Sequence, residues 1–197
     1  METVMSKIPR RLKLGRTVLV VVDVQETFRP LIHDMGHVIA NSSRLMRFCE
    51  RLELPVIVTE HYPEKLGRTV PELAGLTAGG TPVEKISFSC AGDPGFLERL
   101  HATGRDQVIL CGIETHVCVY QTARDLMSDG FQVVVAADAV SSRQVSNRNL
   151  GLAYLRDLRV QVMTTEMTMF ELLRVARTPE FKAVADVLKE NPLPGRE

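Results

Sequence analysis

The 197-residue chain has no tryptophan, only three tyrosines and only four cysteines. The cysteines stand at positions 49, 90, 111 and 118 and form no Cys-x-x-Cys pair. They are too scattered for a disulfide scaffold or a cysteine-based zinc site. The basic segment 1–16 lacks the apolar run of a secretory signal. We therefore predict free thiols and a cytoplasmic protein.

Charge of one sign and long apolar runs are missing as well. The chain carries 24 Lys+Arg and 24 Asp+Glu, so its formal net charge is zero. A protein that binds nucleic-acid phosphates would normally show a basic excess. No apolar run approaches the roughly 18 residues of a membrane span. The composition therefore predicts an ordinary globular protein with neither nucleic acid nor membrane as a partner.

Short apolar runs alternate along the chain with segments of helical periodicity. The run at 17–22, TVLVVV, is β-branched and has no polar alternation, which is typical of a strand buried on both faces of a parallel sheet. The expected strands are 17–22, 55–59, 83–87, 107–111, 131–136 and 160–163, and the expected helices are 38–52, 94–103, 115–130, 147–157, 166–174 and 179–189. This alternation predicts one domain over 1–197 with a three-layer α/β/α, Rossmann-like fold and a six-stranded, mostly parallel sheet. Its core would span about 16–174, followed by a C-terminal helix at 178–190.

Polar residues next to these strands are the candidates for chemistry, because ligands of such sheets gather at the carboxyl ends of the strands. Asp23 follows the first strand, Lys85 lies in the third, and Cys118 follows the fourth. With Thr115 as N-cap, Cys118 would lie in the first turn of a helix, where the helix dipole favours a thiolate. Singly, each residue has an ordinary explanation: a cap carboxylate, a solvated lysine or a buried thiol. Together they supply a general base, a cation and a nucleophile.

Several stretches in the same order resemble the isochorismatase-like hydrolase superfamily, also called the cysteine hydrolases. They are VLVVVDVQ at 18–25, Lys85, CGIETHVCV at 111–119, QTARDL at 121–126 and ADAVSSR at 137–143. The resemblance runs from about Arg16 to Arg174. EHYP at 60–63, with Leu66-Gly67 and Phe181-Lys182, is similar to the subgroup of isochorismatase domain-containing proteins.

The resemblance implies a role for each matching residue. Asp23 would be the general base, Lys85 its electrostatic partner and Cys118 the nucleophile. The backbone N–H groups of Glu114 and Cys118 would form an oxyanion hole, and the peptide between Ile113 and Glu114 is expected to be cis. The implied activity is hydrolysis of a C–N bond in a small amide, ureide or imide through a thioester.

One departure from the family concerns metal. Nicotinamidases of this superfamily carry a histidine-rich metal site after the second strand, whereas this chain offers only Glu60 and His61 there. Zinc requires three or four ligands, so we predict no metal and no cofactor. A homo-oligomer is also expected, from the resemblance and from the apolar residues of the last helices. The predicted walls of the substrate pocket are Phe28, His61, Tyr62, Phe88 and His116.

Two other functions remain open at this point. The chain could be a binding or scaffold protein that keeps the hydrolase fold without turnover. It could also be a redox protein that uses Cys118 as a sensor thiol. The presence of Asp23, Lys85 and Cys118 together favours the hydrolase, and the lack of a Cys-x-x-Cys spacing argues against the redox function.

Overall fold

A computed structural model describes residues 9–77, 80–191 and 193. The ends of the predicted domain, 1–8 and 194–197, lie outside the described residues. The strands are β1 Thr17–Val22, β2 Val56–His61, β3 Val83–Lys85, β4 Gln107–Ile113, β5 Gln132–Ser141 and β6 Gln161–Met163. The α-helices are α1 Met35–Arg51, α2 Pro63–Leu66, α3 Pro71–Ala74, α4 Pro94–Ala102, α5 Tyr120–Ser128, α6 Val145–Asp157, α7 Thr165–Leu173 and α8 Pro179–Glu190. A single π-helical turn, Thr115–Val119, precedes α5.

The six strands form one sheet in the order β3-β2-β1-β4-β5-β6. Every pair of neighbouring strands in this sheet is parallel, and helices cover both faces. The predicted three-layer α/β/α, Rossmann-like fold is therefore confirmed. The strand order reverses between β1 and β4, which is where open α/β sheets form a ligand crevice at their carboxyl ends.

The central strand β1 is buried along its whole length. Its residues alternate between the two cores, because successive strand side chains point to opposite faces. Leu19 and Val21 pack in the core that contains α1, α7 and α8. Val18, Val20 and Val22 pack in the core that contains α4, α5 and α6. Burial of each side chain of this size stabilises the folded state by roughly 1.5–3 kcal/mol. The strand that leads to Asp23 is therefore held firmly between the two cores.

Several element boundaries differ from the sequence prediction. Glu60 and His61 lie within β2 rather than after it, because they pair with Glu84 and Lys85 of β3. Likewise β5 continues to Ser141, because its last residues pair with the end of β4. Between the second and third strands, where the sequence predicts no helix, the structure contains α2 and α3, each of which begins at a proline, as is common for a first helical turn. No helix within the described ranges is both long and apolar enough to cross a membrane.

Candidate active site

Asp23 lies directly after β1, at the reversal of strand order. Its backbone is left-handed, with φ of 53°, and only 2% of the residue is exposed. The neighbouring β4 residue, Gly112, pairs with Val22 and has φ of 110°. A Cβ atom at this glycine would lie 2.0 Å from the Val22 carbonyl oxygen. Glycine is therefore what allows β1 and β4 to meet so closely beneath Asp23.

The carboxylate of Asp23 is held at both oxygens. The Lys85 ammonium donates to Oδ2 over 2.6 Å, and the Thr59 hydroxyl donates to Oδ1 over 2.7 Å. The ammonium also donates to the carbonyls of Ser87 and Phe88, at 3.1 and 3.2 Å. Its three hydrogens are thus all used, and the pair is buried with its charges satisfied.

The ion pair determines the charge of Lys85. Burial is the largest single influence and lowers the pKa of the Lys85 ammonium, but the charge of Asp23, its hydrogen bond and the nearby Cys90 and Cys118 together raise it, so its pKa ends above the usual value. Lys85 is therefore a permanent cation at neutral pH. Its hydrogen bonds go to Asp23 and to the carbonyls of Ser87 and Phe88, so the ammonium is fixed beside the Asp23 carboxylate.

Cys118 lies in the π-helical turn rather than in a regular first helical turn. The Glu114 carbonyl accepts from the N–H groups of Val117 and Val119, at 3.0 and 3.2 Å, and the second bond spans five residues. Turns of this kind occur frequently at functional sites. The peptide between Ile113 and Glu114 is cis, which confirms the expectation from the resemblance.

The prediction that Thr115 caps this helix is wrong. Glu114 stands at the cap position, and Thr115 is the first residue inside the turn. The Thr115 hydroxyl is buried and has no partner among the described residues. The cap was mispredicted because the Glu114 carbonyl already accepts the first hydrogen bonds of the turn, one residue before the position that the cap preference of threonine indicates.

The thiol of Cys118 is protonated in the resting site. Burial raises the pKa of this thiol, the charge of Asp23 raises it further, and Lys85 opposes them only in part. The direction of this pKa is opposite to the one that a helix start predicts, and burial is its largest cause. A reaction at Cys118 must remove the proton as it proceeds, and Asp23 is the carboxylate beside it.

A small cavity of about 70 Å³ brings Asp23 and Cys118 together. Its lining residues are Asp23, Phe28, His61, Phe88, Ile113, Glu114, Val117 and Cys118. One water occupies about 30 Å³ in the liquid, so this space suits a ligand of only a few heavy atoms.

The predicted pocket residues divide between this cavity and two others. Phe28, His61 and Phe88 line the cavity with Cys118. Tyr62 instead lines a separate cavity with Lys85 and Ser87, and His116 lines an open groove beside α6. Sequence reasoning missed Val117 and Thr59, although Val117 is next to Cys118 and Thr59 ends an apolar run.

His61 and Glu114 have distinct environments. Burial, followed by the charge of Lys85, lowers the pKa of His61, so its ring is neutral at physiological pH, and it packs on Phe88 with ring centres 5.4 Å apart. The Glu114 carboxylate accepts from the backbone N–H of Arg143 at 2.8 Å and from its Nε at 3.1 Å. Glu114 therefore anchors the β5–α6 connection, and its carboxylate is not a free partner for a substrate amine.

Glu60 and His61 do not combine into a metal site. The Glu60 carboxylate accepts from the backbone and hydroxyl of Thr69, each at 2.7 Å, and from Arg68 at 2.9 Å. In the part of the chain that the structure describes, no three His, Cys, Asp or Glu side chains come close enough together to hold a metal ion. The absence of a catalytic metal stays a prediction.

Comparison with known proteins points to one family. The family model described as Isochorismatase domain matches residues 17–167. Isochorismatase domain-containing protein 2 of Danio rerio is 40% identical over 178 residues, covering 90% of this chain and 89% of that protein. The secreted isochorismatase effector Isc1 of Phytophthora sojae is 37% identical over 190 residues, covering 91% and 90%.

Solved structures share the fold. A structure described as the MAR1 ribonuclease of Caenorhabditis elegans is 35% identical, with a TM-score of 0.86, and covers 95% of this chain and 100% of that one. YcaC of Escherichia coli, described as an octameric hydrolase of unknown specificity, is 24% identical with a TM-score of 0.88, covering 94% and 93%. At that level of identity, the likeness to YcaC shows the fold alone.

Proposed function

The chain belongs to the isochorismatase family, and we propose that it is a cysteine hydrolase that cleaves a C–N bond of a small amide, ureide or imide. The observation that carries the proposal is the shared cavity of Cys118 and Asp23, with Asp23 held by Lys85 and Thr59. A non-catalytic scaffold would have no need for a buried ion pair against a thiol, and keeping one there is costly unless it is used.

In the proposed reaction, the Cys118 sulfur attacks the substrate carbonyl carbon while the thiol proton moves to Asp23. The carbonyl oxygen becomes an oxyanion beside the backbone N–H groups of Glu114 and Cys118. Collapse of this intermediate breaks the C–N bond, and Asp23 returns the proton to the leaving nitrogen. Water then attacks the Cys118 thioester, with Asp23 accepting its proton. As the thioester breaks, Asp23 returns this proton to the Cys118 sulfur and the thiol is regenerated. The products are a carboxylic acid and the released ammonia, amine or amide.

Lys85 keeps Asp23 in place through this cycle. When Asp23 becomes neutral, the ammonium remains bonded to the carbonyls of Ser87 and Phe88, so its position does not depend on the carboxylate charge. The same loop carries Phe88, a wall of the cavity. The loop that holds the Lys85 ammonium therefore also forms part of the cavity wall. The proposed cycle uses no metal and no cofactor.

The proposal is tested by ammonia release from a graded panel of amides and ureides. Because the cavity is small, about 70 Å³, the smallest amides and ureides of the panel should be hydrolysed faster than bulky ones. Release should be unchanged by a chelator. Binding of panel compounds without any release would favour the scaffold alternative, and release that depends on added metal would contradict the proposed chemistry.

Cys118 should be the first of the four thiols to react with iodoacetamide. It is 7% exposed, whereas Cys49, Cys90 and Cys111 are at most 1% exposed. Because its pKa is raised, the labelling rate should keep rising between about pH 7 and about pH 10 instead of levelling near neutrality, since the thiolate is the more reactive form. Peptide mass mapping after reaction with limiting iodoacetamide measures the order in which the cysteines react and the pH dependence of the Cys118 rate. A plateau below about pH 8, or earlier labelling of another cysteine, would contradict the protonated resting thiol.

We propose a homo-oligomer, with a surface that keeps only part of the one expected from the last helices and adds residues of α6. Leu172 and Val184 of the last helices are buried in the chain's own core, while Leu150 and Tyr154 of α6 are 70% and 45% exposed. Met167 and Phe170 of α7 are also exposed. Burial of such surface drives self-association. Light scattering should give a mass that is at least twice the 22.0 kDa of one chain. A purely monomeric species at micromolar concentration would reject this proposal.

We further propose a small molecule as the ligand and the cytoplasm as the location. The cavity beside Cys118 has room for a few heavy atoms, which is too little for a nucleotide. All four cysteines are free and buried, as in proteins of reducing compartments. The zero net charge argues further against nucleic acid.

A further inference from the structure

We propose that Thr59 is a positioning residue: its hydroxyl, oriented by the thiol of Cys90, fixes the Asp23 carboxylate in the direction from which it takes the Cys118 proton. This inference rests on the proposed function and adds two residues to the machinery that it needs. Thr59 lies in β2 and Cys90 in a short turn after β3, and both are completely buried.

The contacts form a continuous chain. The Thr59 hydroxyl lies 2.7 Å from Asp23 Oδ1 and 3.7 Å from the Cys90 sulfur. Cys90 is itself held in place, because its backbone N–H donates to the Thr122 hydroxyl over 2.8 Å. Thr122 lies in α5, one helical turn after Cys118. The chain therefore connects the base to α5, the helix that directly follows the turn of the nucleophile.

The direction of each hydrogen bond follows from the number of hydrogens. An ionised carboxylate only accepts, so the single Thr59 hydrogen must go to Asp23. Between Thr59 and Cys90 the only hydrogen left is that of the thiol, so Cys90 must donate to Thr59. Burial of Cys90, reinforced by the charge of Asp23, raises its pKa to about 11, so the thiol keeps that hydrogen at neutral pH. The order is Cys90 to Thr59 to Asp23.

The consequence is a carboxylate that cannot rotate. The terminal torsion of aspartate is intrinsically broad, and a single bond from Lys85 to Oδ2 would leave it so. Thr59 lies in the inner strand β2 and restrains the other carboxylate oxygen, whereas Lys85 reaches Oδ2 from the edge strand β3. The plane of the base is thus set from two sides. A proton transfer from Cys118 depends on this alignment, because a displacement of about 1 Å can slow such a step by about a hundredfold.

The test uses alkylation of Cys118 by iodoacetamide at neutral pH, where the thiol needs a base. Thr59→Val removes the hydroxyl with little change in volume and should lower the limiting alkylation rate about tenfold while leaving the apparent affinity for iodoacetamide unchanged. Thr59→Ser should restore most of the rate. The difference between wild type and Thr59→Val should narrow as the pH rises, because a thiolate needs no base.

A matched control is Thr168→Val. Thr168 is completely buried, and its hydroxyl donates to the Thr164 carbonyl in α7 over 2.8 Å, away from the cavity. This variant loses a buried hydroxyl in the same way but should label Cys118 at the wild-type rate. Unchanged labelling in Thr59→Val, or a failure of serine to restore the rate, would overturn the inference.

A second pair of variants applies whether or not Thr59→Val folds. Cys90→Ala removes the donor to Thr59 and should slow Cys118 labelling, and Cys90→Ser should restore the rate. Equal rates in the two variants would contradict the inference.

The Asp23→Asn variant distinguishes failure of this inference from failure of the proposed function. If Asp23→Asn slows labelling and the Thr59 and Cys90 variants do not, only this inference fails. If Asp23→Asn has no effect, Asp23 is not the base and the proposed function fails with it.

Discussion

Replacing Cys118 with alanine should abolish turnover of every amide or ureide that the wild-type protein hydrolyses, with a loss of at least about a thousandfold. Without the sulfur there is no nucleophile and no thioester, and Asp23 has no thiol proton to accept. Only one small atom is removed from a 7% exposed residue, so the fold should survive with a loss of about 1–2 kcal/mol or less. Ammonia release measures the activity, and thermal unfolding measures the stability.

Capture of the intermediate makes this prediction more specific. Acid quenching during turnover, followed by mass measurement of the intact protein, should show an acyl adduct on Cys118 in the wild type and none in the alanine variant. Cys49→Ala is the matched control, because Cys49 is 1% exposed and packs in the opposite core from Cys118. It should change stability without changing turnover. Wild-type turnover by Cys118→Ala would exclude covalent catalysis and favour direct attack by a water.

The fold could be predicted because its main signals are local. The unbroken β-branched run of β1 indicates a strand buried on both faces, and parallel strands need helical crossovers. The ends of the strands could not be predicted in the same way. Glu60 and Ser141 are in strands because residues distant in sequence, Glu84 and Ile113, supply their ladder partners. Local propensity contains no information about those partners.

The catalytic candidates of the site could be predicted from the sequence, because the carboxyl ends of neighbouring parallel strands lie close together. Asp23 and Cys118 line one cavity because β1 and β4 are neighbours at the reversal of strand order. The pocket walls were harder to predict, because residues adjacent in sequence point in different directions. His61 lines the cavity while Tyr62 does not, and Val117 lines it while His116 does not. Successive residues of a helical turn project about 100° apart, so being next to a catalytic residue does not place a side chain in its pocket.

The protonation of Cys118 and the contacts of Thr59 depend on burial and on distances between separate strands. A helix start in the sequence predicts a thiolate, but only the structure shows that Asp23 and the surrounding core raise the pKa of the thiol. Thr59 and Cys90 are ordinary core residues in the sequence. Their role arises from a hydrogen-bond chain between β2 and the turn after β3.

Gly112→Ala should be among the most damaging single substitutions in the chain. The added Cβ would lie 2.0 Å from the Val22 carbonyl oxygen and 2.7 Å from its nitrogen, and these are backbone atoms that cannot rotate away. The residue also keeps φ of 110°, which alanine adopts poorly. Backbone strain of about 1–3 kcal/mol adds to overpacking of a similar size, giving an expected loss of about 3 kcal/mol or more.

The damage should reach the site as well as the stability. To relieve the contact, β1 and β4 must separate at Val22, and Asp23 follows Val22 directly, so the base would move away from Cys118. We expect a lower denaturation midpoint together with slower labelling of Cys118 in the fraction that remains folded. Gly104→Ala is the matched control, because Gly104 has φ of 64° but no atom within 4 Å of the added Cβ. It carries backbone strain of about 1–2 kcal/mol alone, so an equal loss of stability in the two variants would show that the close approach of β1 and β4 is not what requires glycine at position 112.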